Sequence, residues 1–351
     1  MRDIAIIAFA QLPNQRRHTD REEVELVQPV VAEALEQVGL NKSQIGFTCS
    51  GSSDYLLGRP FSFVSALDSV APWPPINESH VEMDGAWALY EAWVRLQHGD
   101  IETALVYAYG KSSLGSLRDV LSQQLDPYYT APLWPDAISL AALQARAVLD
   151  AGWASERDFA AVAQRNRAQG KRNPNAHQVG DYDVDALVAE PYLVEPLRKH
   201  DCPPISDGAA CVILATAERA RTLVKRPAFI RGIDHRVEPH FLGMRDLTES
   251  PSTRLAAERA GAAEGKLDIA EVHAPFAHQE LILQRALQLA DDVQLNPSGG
   301  ALCANPMMVA GLTRLGEAAN HILRGDAGRV LAHATSGPCL QQNLVAVMEA
   351  E

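Results

Sequence analysis

One unit of this chain is written twice. Gly85-Ala86-Trp87-Ala88-Leu89-Tyr90-Glu91-Ala92, then Gly99-Asp100 and an apolar run to Gly110, can be laid over Gly311-Leu312-Thr313-Arg314-Leu315-Gly316-Glu317-Ala318, then Gly325-Asp326 and a run to Gly337. The Gly, Glu-Ala and Gly-Asp positions coincide without a gap, which predicts a helix, a glycine stop and a buried strand in each copy. The flanking elements repeat in the same order. In the first half, the strand Ile4–Phe9 precedes an amphipathic helix over Glu22–Val38, with Val24, Val27, Val31, Leu35 and Val38 on one face and Gly39 as its stop, and a strand-loop at Ile45–Ser53. In the second, the strand Phe229–Ile233 precedes a helix at Pro251–Ala263 and the strand Ile269–His273. Two such α/β halves would bury one face of their helices between two sheets.

Between the halves, residues 114–199 are richer in Pro, Tyr and Trp, with a helix expected at Ile138–Ala151. This reads as an inserted cap of the kind that lines a site on an α/β scaffold. It carries the polar run Arg165-Asn166-Arg167-Ala168-Gln169-Gly170-Lys171-Arg172-Asn173-Pro174. Two readings of that run stand side by side: a solvated helix face, or a landing site for the phosphates of a carrier such as coenzyme A, through Arg165 and Arg172.

Composition narrows the function. A chain of 351 residues with 47% hydrophobic side chains suits two or three units sharing a large buried interior. A formal charge of −13 argues against nucleic acid or an anionic membrane as the main partner, since both demand a basic face. The five cysteines, Cys49, Cys202, Cys211, Cys303 and Cys339, are odd in number and contain no C-x-x-C pair, so neither a disulfide framework nor a metal site is expected. With no apolar run of membrane length and no signal-like N-terminus, a cytoplasmic protein is expected.

Three blocks carry a family resemblance. Ser206-Asp207-Gly208-Ala209-Ala210-Cys211-Val212-Ile213-Leu214 resembles the S-D-G-A-A-x-V-x-L strand of thiolases, Asn296-Pro297-Ser298-Gly299-Gly300-Ala301-Leu302 their N-P-x-G-G-x-L turn, and Glu271-Val272-His273-Ala274-Pro275-Phe276 their E-x-H/N-x-x-F block. They fall in the family's order, and the resemblance extends through Val162-Ala163-Gln164-Arg165-Asn166 over nearly the whole chain. It is strongest toward sterol-carrier-type thiolases and bacterial lipid-transfer proteins of steroid catabolism. It implies a five-layer αβαβα fold, with an N-terminal half over 1–113, an inserted loop domain over 114–200, the last strand of the first half over 201–216 and a C-terminal half over 217–351. It also implies a homodimer, with the apolar segment Val64–Ile76 near the interface.

The departures bear on activity. The family's nucleophilic cysteine stands at the start of the helix beginning near Gly85, and Glu82 is read at its place in Val81-Glu82-Met83-Asp84-Gly85. The histidine of the family's G-H-P motif corresponds to Asn305, and the second cysteine, of the C-x-G block, to Gly337. Only His273 is retained. Thiolysis needs a covalent acyl-enzyme, for which a carboxylate or carboxamide is no comparable nucleophile. Cys303 and Cys339 are read either as relocated nucleophiles or as small buried residues.

What remains suits proton transfer. A retro-aldol cleavage needs one base and a set of oxyanion donors, and His273 with Asn305 and the backbone at Gly337 can be cast in those roles. Glu82 is read as a rival base or as a capping carboxylate, and His273 as an acid/base or as a hydrogen-bonded core residue. The resemblance implies the same chemistry, because some lipid-transfer relatives lacking the cysteine are similar to steroid side-chain aldolases that work with a small OB-fold, zinc-ribbon partner. Those aldolases use tyrosines in the second half, and this chain has none after Tyr192. The expectation is thus a lyase for a bulky β-hydroxyacyl-CoA, with coenzyme A entering as part of the substrate near Arg165, Arg172 and Ser206. The alternatives are a non-catalytic acyl-CoA-binding or scaffold homologue, and an acyltransferase with a relocated cysteine.

Overall fold

The repeated glycines act as helix stops. Helix α2 (Gly85–His98) and helix α7 (Ala310–Arg324) end on Gly99 and Gly325, at φ 85° and 87°, where a side chain would be strained in the left-handed region. The structure is a computed structural model that describes residues 2–70 and 76–351, so part of the segment Val64–Ile76 lies outside the described residues.

Each half builds a five-stranded sheet with one topology. The first contains β1 (Ile4–Gln11), β2 (Phe47–Gly51), β3 (Glu78–Val81), β4 (Thr103–Lys111) and β5 (Ile205–Thr216), in the order β3-β2-β4-β5-β1. The second contains β6 (Ala228–Val237), β7 (Ile269–Val272), β8 (Gln294–Leu295), β9 (Arg329–Ser336) and β10 (Gln342–Glu349), in the matching order β8-β7-β9-β10-β6. In both, the first three strands of that order are parallel and the last two run antiparallel to their neighbours. The sheets join where Ala5 and Ile6 of β1 pair with Phe229 and Ala228 of β6.

The layers follow from side-chain alternation along the strands. Val330 and Ala332 of β9 point inward with Ile4 and Ile6 of β1 onto α2 and α7, which share one core between the sheets. Leu331, one residue along, faces the opposite side and packs beneath α5 (Pro251–Arg259) and α6 (Ala277–Ala286). Helix α1 (Glu23–Val38) covers the outer face of the first sheet through Leu26, Val27, Val30, Val31 and Leu35. A bulge between Ile6 and Ala8 shifts the β1 alternation, which sends Phe9 to the central layer and Ala10 to the outer one. The result is the αβαβα arrangement with the inserted segment before β5.

That insertion packs against the other half. Its helices α3 (Ala137–Asp150) and α4 (Glu156–Gly170) share the outer core of the second sheet with α5 and α6. Gln144 of α3 receives a hydrogen bond from the Gln279 amide at 3.0 Å and lies 3.2 Å from His278 Nε2. The polar run on α4 is accordingly not a solvated face over its first residues. Arg165 pairs with the fully buried Glu280, Asn166 donates to the same carboxylate at 2.7 Å, and Arg167 is buried over the Tyr182 ring at 5.2 Å.

Candidate functional site

Both central helices begin at one point. The N-cap of α2 is Asp84, whose Oδ1 accepts from Ala86 N at 2.8 Å. The same carboxylate accepts from the first turn of α7, with Gly311 N at 2.9 Å and Leu312 N at 3.0 Å. One anion thus saturates the dipoles of two helices, a favourable position for negative charge. The close approach requires small residues: a Cβ on Gly311 would lie 2.5 Å from Asp84 Oδ1, and one on Gly85 2.7 Å from Ala108 Cβ.

This corrects the reading of Glu82. Its carboxylate lies 3.3 Å from His80 Nε2 and accepts the Asp54 N–H at 2.5 Å, on an edge of the sheet with 45% of the side chain exposed. Glu82 anchors the start of the short helix Asp54–Leu57, and the residue at the start of α2 is Asp84. The local signal was present in the sequence, because Asp directly before a helical Gly-Ala-Trp run is an N-cap signature.

His273 follows β7 and is buried, like Asn305 and Asp84. Its Nδ1 lies 3.4 Å from Thr335 N, and its Nε2 2.9 Å from Asn305 Oδ1. A backbone N–H can only donate, so Nδ1 accepts and the ring proton resides on Nε2, which donates to Asn305. Burial lowers the His273 pKa from its ordinary value, and the nearby Asp84 charge opposes that shift. The ring is neutral near pH 7, with its tautomer fixed by two partners.

Asn305 is held from the first half. Residues 305–306 pair in parallel with Ile205-Ser206 at the start of β5, and Asn305 N donates to Ser206 Oγ at 3.0 Å. His177, from the inserted segment, sits 2.8 Å from the same hydroxyl. Ser206 therefore serves Asn305 and His177, rather than standing free for a carrier. Neither His177 nor Thr335 was singled out in the sequence, since no motif marks them.

Gly337 closes β9 at φ 74°, and its loop continues through Cys339 and Leu340 at φ 55° and 59°. The strain is held by partners. Arg245 donates to Pro338 O at 3.1 Å and to Cys339 O, while Gln144 Nε2 reaches Cys339 O at 3.4 Å. The Gly299-Gly300 turn is fixed from beneath by the fully buried Glu271, which accepts from Ser298 N at 2.9 Å and pairs with Arg314 at 2.9 Å.

All five cysteines are buried. Burial pushes the Cys303 and Cys339 thiols up to about 12, which removes their nucleophilic form near neutral pH. Arg172 is exposed and lines a groove of about 820 Å³ that includes none of His273, Asn305 or Asp84. Of the seven positions read from the sequence, the fold joins His273, Asn305 and Ser206 through direct hydrogen bonds. It sets Glu82, Arg165 and Arg172 into other surroundings. No helix among the described residues is long and apolar enough to cross a membrane.

The fold is that of the thiolase superfamily, and the chain is similar to its members, with its likeness toward the sterol-carrier and lipid-transfer branch. No protein-family model matches the chain. Among curated relatives, it is 28% identical over 214 residues to acetyl-CoA acetyltransferase of Methanothermobacter thermautotrophicus, covering 54% of this chain and 56% of that protein. It is 24% identical over 305 residues to human sterol carrier protein 2, covering 73% and 54%. A third relative, the 3-oxoadipyl-CoA/3-oxo-5,6-dehydrosuberyl-CoA thiolase of Escherichia coli, is 36% identical over 129 residues, 36% of this chain and 31% of that one. The chain thus spans about half or less of the length of these relatives. Among solved structures, an Ltp2-ChsH2(DUF35) aldolase superposes with a TM-score of 0.80 at 19% identity, covering 99% of this chain and 98% of the other.

Proposed function

We propose that this chain is a carbon–carbon lyase that cleaves a bulky β-hydroxyacyl-CoA by a retro-aldol reaction. The observation that carries the reading is Asp84. A carboxylate bound by three backbone N–H groups occupies the start of the two central helices, and no thiol stands there. Acyl transfer then lacks its nucleophile, whereas a neutral imidazole remains for proton transfer.

In the proposed reaction, His273 takes the β-hydroxyl proton through Nδ1, whose bond to Thr335 N is long at 3.4 Å. The Cα–Cβ bond breaks, its electrons pass to the thioester as an enolate, and a ketone or aldehyde leaves. The proton returns to Cα and gives the shortened acyl-CoA. The Asp84 charge favours the transient imidazolium. Asn305 Oδ1 is held by His273, which leaves the Asn305 amide hydrogens as donors for the enolate oxygen beside the Gly337 backbone. A steroid side chain is the proposed acyl group. A homodimer is the proposed assembly, with a DUF35-type chain as a further partner, since the aldolase of similar fold pairs Ltp2 with one.

The test is incubation with bulky β-hydroxyacyl-CoA thioesters, alone and with a DUF35-type partner, following carbonyl release by mass spectrometry. Cleavage that is lost in His273→Ala supports the lyase. One observation favours a second reading, a thioester-binding homologue without turnover: His273, Asn305 and Asp84 are all less than a tenth exposed in the single chain. Tight binding of the thioesters with no carbonyl released under either condition would establish that reading instead.

A further inference from the structure

The far half of α7 borders the groove of about 820 Å³, which runs beside the end of β1, the α1 residues Glu33 and Gln37 and the loop at 172–175. Glu317 is six residues beyond Gly311, roughly 9 Å along the helix axis from the Asp84 carboxylate. The groove is thus a separate feature, and its volume falls in the range of roughly 300 to 1,000 Å³ typical of small-molecule sites.

Its lining carries both signs of charge, Arg172 and Arg324 with Glu33, Glu317 and Asp326. Glu317 Oε1 accepts from Gln11 Nε2 and from Asn173 Nδ2, the latter at 3.1 Å. Asn173 Nδ2 also reaches Ser298 O at 3.1 Å, and Asn175 O accepts from Asn14 N at 3.0 Å, so the loop that anchors Glu317 is itself fixed. Oε2 of Glu317 has no hydrogen-bond partner among the described residues, although the group lines the groove. Arg172 and Arg324 lie on the same lining, both exposed, and neither has an ion-pair partner among the described residues. One free carboxylate oxygen and two guanidiniums without ion-pair partners share this lining with Glu33, His321 and Asp326. Two guanidiniums match a doubly charged phosphate, and a free carboxylate oxygen matches a hydroxyl.

We propose that this groove is a second ligand site, for a small phosphomonoester that carries hydroxyl groups, with Arg172 and Arg324 on the phosphate and Glu317 accepting from a hydroxyl. It does not depend on the lyase assignment. Isothermal titration of the whole chain with glycerol 3-phosphate, inorganic phosphate and glycerol tests it, with circular dichroism as the check on folding. Glycerol 3-phosphate binds more tightly than inorganic phosphate, and the double variant Arg172→Ala/Arg324→Ala weakens both by about tenfold or more. Glu317→Gln keeps an oxygen for Gln11 and Asn173 but loses the free acceptor, so it weakens glycerol 3-phosphate several-fold and leaves inorganic phosphate unchanged. Failure of both phosphates to bind at about 10 mM, or binding unaltered by the arginine double variant, overturns the site. An equal effect of Glu317→Gln on both phosphates overturns the hydroxyl contact.

Discussion

Asp84 of the first half accepts the backbone N–H of Gly311, the first glycine of the repeated unit in the second half, at 2.9 Å. The two copies of the unit are therefore joined at their helix starts by one carboxylate, and the candidate site forms around that junction.

Removing the carboxylate should cost stability first. Asp84→Ala leaves three buried N–H donors without partners, an expected loss of about 3 to 5 kcal/mol in urea unfolding. Asp84→Asn keeps one acceptor oxygen and should lose less. Equal stability of wild type and Asp84→Ala would dissociate the carboxylate from the helix junction.

The His273 variant separates chemistry from binding. His273→Ala should lower turnover by about two to four orders of magnitude with a smaller change in KM, the pattern of a positioned acid/base group. Because burial lowers the His273 pKa, the ring stays neutral below pH 6.5, and the acid limb of kcat/KM should fall below that value. A full-activity His273→Ala enzyme would remove the group from the mechanism.

Alkylation should leave the native protein nearly untouched. With Cys303 and Cys339 pushed up to about 12, the thiolate at pH 8 is about one part in ten thousand, and all five cysteines are buried. Iodoacetamide should modify less than one thiol per native chain by intact-mass analysis and all five in denaturant. Rapid native labelling at Cys303 or Cys339, with loss of activity, would restore the relocated-nucleophile reading.

Acid should destabilise the fold through its buried histidines. His278 is held neutral, with burial driving its pKa to about 3. Between that value and about 6.5 the unfolded chain takes a proton that the folded chain refuses, so stability is full above pH 6.5 and falls as pH drops. By pH 4.5 the cost is about 2 to 3 kcal/mol. The buried carboxyls Glu271 and Glu317, raised by burial, act in the opposite direction, so the informative quantity is the difference between wild type and His278→Gln. The variant should show a shallower loss of unfolding free energy from pH 6.5 to 4.5.

Gly110 tests how β4 supports the site. A Cβ there would lie 1.9 Å from Met307 O, and Met308 O accepts the Gly85 N–H at 2.8 Å. Gly110→Ala must move backbone that seats the start of α2, with an expected loss of about 3 kcal/mol or more in urea unfolding.

The sequence by itself determined the repeated architecture, because its signals are local. Gly99 and Gly325 stop their helices through backbone freedom that needs no distant partner, and the apolar periods of α1 and the strands fix which faces are buried. The candidate site was legible only where a motif marked it, as at His273 and Asn305, whereas Ser206 was read as a carrier contact and is bonded to Asn305 and His177. Their meeting was decided by tertiary structure: His273 and Asn305 are 32 residues apart, and Asn305 and Ser206 are 99 residues apart and lie in different halves. The carboxylate at the helix start shows the same limit. Glu82 and Asp84 are two residues apart in sequence, and what separates them is that the turn before α2 directs Asp84 into the first turn of a helix 226 positions further on, while Glu82 meets the start of the short helix at Asp54. A contact across that distance follows from the packing of two halves, which no local pattern of residues encodes.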